Sequence, residues 1–74
     1  MHMQDHKNIR QSKKLAYATL AVILLDGQGL TVVNVGLAGA LPHIEIEPPK
    51  RGKEPEKNII HDDQLIAYTT WSNQ

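Results

Sequence analysis

The chain has 74 residues, eight basic and eight acidic side chains, and no cysteine. That length supports one small domain, and the missing thiols exclude a disulfide framework and any cysteine-based metal site. A balanced charge argues against binding nucleic acid through bulk electrostatics, although successive segments 1–25, 26–49, 50–57 and 58–74 carry +3, −3, +2 and −2.

Residues 1–8 are polar and are expected to fray. Asn8 followed by Gln11 has capping-box spacing, with Asn in place of Ser or Thr. From Ile9 the pattern is helical. Ala16, Leu20, Ile23 and Leu24 form one stripe, and Leu15, Val22 and Leu25 widen it. Asp26-Gly27-Gln28-Gly29 stops the pattern, with Gly27 suited to the left-handed position after a helix. The expected helix is 9–25. Its apolar run, Leu15 to Leu25, is shorter than the roughly 20 residues needed to cross a bilayer. Ala38-Gly39-Ala40 has the form of a signal-cleavage box but lies far beyond that run, so no processed signal is expected.

Leu30 to Glu47 reads as a β-hairpin. Val32, Val33 and Val35 favour a pleated strand, and Ile44 and Ile46 alternate with His43, Glu45 and Glu47. Gly36 and Gly39 supply the turn between them. Pro42 belongs at the start of its strand or on an edge, because it donates nothing to a ladder, and Pro48-Pro49 ends the strand. Residues 48–57, PPKRGKEPEK, read as a solvated loop. Asn58–His61 is a possible short strand, Asp62-Asp63-Gln64 a turn, and Leu65–Trp71 a closing strand. In that strand Leu65, Ala67, Thr69 and Trp71 share one face, and Ile66, Tyr68 and Thr70 the other.

These elements predict an α+β fold: one helix on one face of a small three- to four-stranded antiparallel sheet, in the order α-β-β-β. The expected core is Leu15, Leu20, Ile23, Leu24, Val33, Val35, Ile44, Ile46, Leu65, Ala67 and Trp71. The basic helix, the β-branched strand, x-Pro-x-Ile-x-Ile-x-x-Pro and the late strand closing on Trp resemble small uncharacterised proteins of phages and prophages. The residues that carry the likeness are Val32, Val35, Pro42, Ile44, Ile46, Pro49 and Trp71. The resemblance implies a cytoplasmic accessory role in a bacterium or its phage, and it transfers no catalytic residue.

Several groups have the residue types that chemistry needs. His43, Glu45 and Glu47 share a strand face, with neighbours about 7 Å apart and so within reach of one metal, but a wet strand face carrying polar residues explains them better. His61-Asp62-Asp63 fits a turn, and His2 and His6 lie in the terminus expected to fray. Gly36-Leu37-Ala38-Gly39 has the bare GXXG spacing of a KH loop, but it joins strands where that loop joins helices. The only serines, Ser12 and Ser72, sit in the helix and the tail, so no nucleophilic constellation forms. The sequence therefore predicts no enzyme, no cofactor and no metal.

The leading expectation is a small protein-interaction module. The alternative is a nucleic-acid-binding accessory protein that uses Lys7, Arg10 and Lys14 with Lys50, Arg51 and Lys53. The chain is also expected to form a homodimer, because a single helix leaves one sheet face uncovered. Leu30, Val32, Ile66 and Tyr68 are the residues expected there.

Overall fold

The computed structural model describes residues 4–48 and 56–71, with side chains from Ile9 onward. One helix, α1 (Gln4–Gly27), is followed by strands β1 (Val32–Gly36), β2 (His43–Ile46), β3 (Asn58–His61) and β4 (Gln64–Trp71). The four strands form one sheet in the order β1-β2-β4-β3, and the helix covers one face of it. The α+β expectation and the N-terminal helix hold.

The helix starts earlier than 9, so Asn8 lies inside it and not at its N-terminus. It ends at Gly27, and the left-handed residue is Gly29, at φ 81°. The amide of Leu30 donates to Leu25 O at 3.1 Å, and those of Gln28 and Gly29 donate to Leu25 O and Asp26 O. The last turn is closed by backbone, and the chain is turned toward β1.

β1 and β2 form the expected antiparallel hairpin, and β3 and β4 form a second one. The two-residue link Asp62-Asp63 has φ 52° and 62°, the mirror-image turn that suits the twist of a tight hairpin. β2 and β4, however, run parallel, with Ile44 beside Thr69 and Ile46 beside Trp71. The sheet is therefore mixed where an antiparallel one was expected. The reason is topological: the chain leaves β2, passes to the far side of the β4 position to make β3, and then inserts β4 between the two. Thr69 anchors that crossing. Its buried hydroxyl donates to Glu56 O at 2.7 Å, and its amide donates to Lys57 O at 2.7 Å.

The core is Ala18, Ala21, Leu25, Ile44, Ile46, Ile59, Ile66 and Ala67, with Tyr17, Leu20, Leu24, Leu30, Val32, Leu37 and Trp71 packed against it. The small side chains of Ala18 and Ala21 let the helix approach the sheet closely. Four expected core residues are exposed instead: Leu15, Ile23, Val33 and Val35. For Leu15 and Ile23, the helix is apolar almost all the way round from 15 to 25, so several rotations satisfy a helical period equally well.

For the strands, a shift of pairing between Ile59 and Ile60 leaves Ile66 without a partner in β3. Such a bulge turns two successive side chains to one side. Ile66 and Ala67 are both buried in consequence. A second irregularity, between Val32 and Asn34, keeps Val32 beside Ile46 and leaves Val33 exposed.

Candidate functional site

The bulges decide which residues line the uncovered face of the sheet. Ile44, Ile46, Ile59, Ala67 and Thr69 are buried beneath the helix, so the residues between them point away from it. Register then places Val33 and Asn34 of β1, His43 and Glu45 of β2, Tyr68 and Thr70 of β4, and Ile60 of β3 on the open side. Val33, Ile60 and Tyr68 are exposed there, and Glu45 is half-buried. His43 meets the Tyr68 ring edge-on, with centroids 6.4 Å apart at 65°. This contact fixes two aromatic groups at the centre of the face.

The residues expected on that face are largely elsewhere. Ile66 is 2% exposed, and Leu30 and Val32 pack against the core on the helix side. Of the four, only Tyr68 belongs to the open face. Ile60 and Val33 take the places assigned to Ile66 and Val32. Nothing in the alternation of either strand signals a bulge, which is why both were misplaced.

A second surface lies where α1 passes the β1–β2 loop. Arg10, Lys13, Lys14, Tyr17, Ala38, Gly39 and Ala40 line a cleft of about 460 Å³, with no acidic side chain among its described lining residues. Lys14 is committed to structure. Its Nζ donates to Leu37 O at 2.7 Å and to Gly39 O at 3.0 Å, so it ties the loop to the helix. One turn on, the Tyr17 hydroxyl accepts from Gln64 Nε2 at 2.8 Å, joining the helix to the start of β4. Arg10 and Lys13 are the exposed cations of this cleft; helical spacing with Lys7, Arg10 and Lys14 does not single out Lys13 or Tyr17, which only the packing of the β1–β2 loop brings here. Lys50, Arg51, Lys53 and the side chain of Lys7 lie outside the described part of the chain, so the two basic islands are not shown to meet.

Among the described residues, no three His, Asp or Glu side chains gather closely enough to hold a metal ion. His61 and Asp62 approach to 3.4 Å on the exposed hairpin turn. No described helix is long and apolar enough to cross a membrane. No protein family, curated protein or solved structure matches the chain.

Proposed function

We propose that the protein is a small, non-enzymatic protein-interaction module that presents the open face of its sheet to a partner. One observation carries this reading: the edge-on His43–Tyr68 pair, with Val33 and Ile60 exposed on the strands to either side, lies on a sheet face that no described element covers. Apolar groups grouped on one face, with a fixed aromatic at the centre, are what protein contacts are built from. The charged side chain at its middle is Glu45, and Glu47 follows two residues on. The complementary partner is thus a protein surface with apolar and basic side chains.

The resemblance to small phage and prophage proteins supports a cytoplasmic accessory role. The chain also fits a homodimer, since so short a chain buries little of its own surface.

The test is capture from the native host with wild type and with Ile60→Lys and Tyr68→Lys, each checked for unchanged circular dichroism. A protein bound stoichiometrically by wild type and lost by both variants supports the reading.

A nucleic-acid role is the second reading, favoured by the exposed Arg10 and Lys13 beside Tyr17 in one cleft. Titration with duplex and single-stranded DNA at two salt concentrations tests it. Binding that weakens with salt and falls on Arg10→Gln with Lys13→Gln would favour it. Lys14→Ala is a poor probe, because it also releases the loop.

A further inference from the structure

We propose that the cleft between α1 and the β1–β2 loop binds a phosphomonoester carried on a small apolar body. The proposal does not depend on what binds the open sheet face, and it asks for a different ligand from the nucleic-acid reading of the same cleft.

Arg10, Lys13, Lys14 and Tyr17 follow one another at i, i+3, i+4 and i+7, so α1 turns all four to the side where the loop passes. Each offers hydrogen-bond donors. Arg10 and Lys13 are exposed and have no acceptor capacity. Lys14 carries three donors and gives two of them to the carbonyls of Leu37 and Gly39, at 2.7 and 3.0 Å. The Tyr17 hydroxyl accepts from Gln64 Nε2, and so keeps its own proton to give.

The charge is as one-sided as the hydrogen bonding. Lys14 is half-buried, and its two carbonyl partners satisfy donors without neutralising the ammonium. Among the described residues, no carboxylate pairs with any of the three cations. The loop also pins Lys14 in place, so one positive charge of the cleft is positioned before any ligand arrives. An opposite charge beside a partly desolvated ammonium is favourable.

An incoming anion therefore meets donors and positive charge. A carboxylate brings one charge and two oxygens. A phosphomonoester brings close to two charges and three acceptor oxygens, a better match to three cations and a phenol. The rest of the wall is apolar, made by Ala38, Ala40 and the Tyr17 ring. The volume of about 460 Å³ lies within the roughly 300–1,000 Å³ of small-molecule sites. Arg10 to Tyr17 spans about 10 Å along the helix, room for one ring and its phosphate.

Phenyl phosphate is the probe. Titration of isotope-labelled protein should saturate, with amide shifts centred on residues 10–17 and 38–40. Phenol, which lacks the charge, and inorganic phosphate, which lacks the ring, should each bind about tenfold more weakly. Arg10→Gln and Lys13→Gln should each weaken phenyl phosphate by about tenfold with helical dichroism unchanged, since both positions are exposed. Lys57→Gln, which removes an exposed cation outside the cleft, should leave the affinity as it is. A short single-stranded oligonucleotide with and without a 5′-phosphate separates the two sources of this chemistry. If only the phosphorylated strand shifts the cleft as phenyl phosphate does, the ligand is a strand end. If neither strand does, it is a free small ester. No saturable shift in the cleft overturns the proposal. So does equal weakening by Lys57→Gln, which would reduce the effect to net charge. So does equal binding of both strands in the cleft, tighter than phenyl phosphate, which would assign it to the internal phosphates of a nucleic acid.

Discussion

Two residues hold the parts of this small fold to one another. Thr69 is the buried polar group of the core, and its hydroxyl closes on the carbonyl of Glu56. Thr69→Val keeps the shape and strands that carbonyl, so it should destabilise by about 1–3 kcal/mol in urea denaturation at fixed protein concentration. An unchanged midpoint would show that the bond contributes nothing. Lys14 holds the β1–β2 loop through two carbonyls. Lys14→Met should speed amide exchange across the β1–β2 loop while leaving β3 and β4 protected.

Gly27 and Gly29 differ in sign. Gly29 needs its positive φ, so Gly29→Ala should cost about 1 kcal/mol. Gly27 ends the helix with open space where a Cβ would go, so Gly27→Ala should stabilise by about 0.5 kcal/mol. The sequence showed that glycines stop the helix. It did not show which one turns left-handed, because both follow the last apolar residue and only the closing hydrogen bonds separate them.

At the scale of elements, the helix, both hairpins and their order were legible, because β-branched runs and glycine or aspartate turns mark them locally. Which residues face the core was not. One bulge in β4 reverses the face of Ile66 relative to strict alternation, and an all-round apolar helix hides its own phase. The parallel pairing of β2 with β4 was equally hidden, since it depends on a long-range crossing that alternation does not encode.

Two changes test the elements as placed. Ala21 of the helix is fully buried in the core beside the sheet residues, so Ala21→Leu should overpack and cost about 1–3 kcal/mol. The same change at exposed Ala16 should leave monomer stability nearly unaltered. Asp63 sits at φ 62° in the β3–β4 turn. Asp63→Gly gives that turn its preferred Asp-Gly pair and should raise the thermal midpoint, by about 1 kcal/mol of stability. A lower midpoint would contradict the turn geometry.

For the whole molecule, the described residues form two layers and leave two faces uncovered: the open side of the sheet and the outer side of the helix. The expectation that one helix cannot cover both faces of the sheet holds, but Val33, Ile60 and Tyr68 replace most of the residues first placed there. The basic island at 50–53 was legible as charge only, and nothing described joins it to Arg10 and Lys13. The proposed role of the open face is to bind a protein. Capture from the native host should therefore recover one protein in stoichiometric amount with wild type, and lose it with Ile60→Lys and with Tyr68→Lys while Arg10→Gln retains it. Recovery of the same proteins by wild type and both sheet-face variants, or of nucleic acid released by Arg10→Gln, would contradict it.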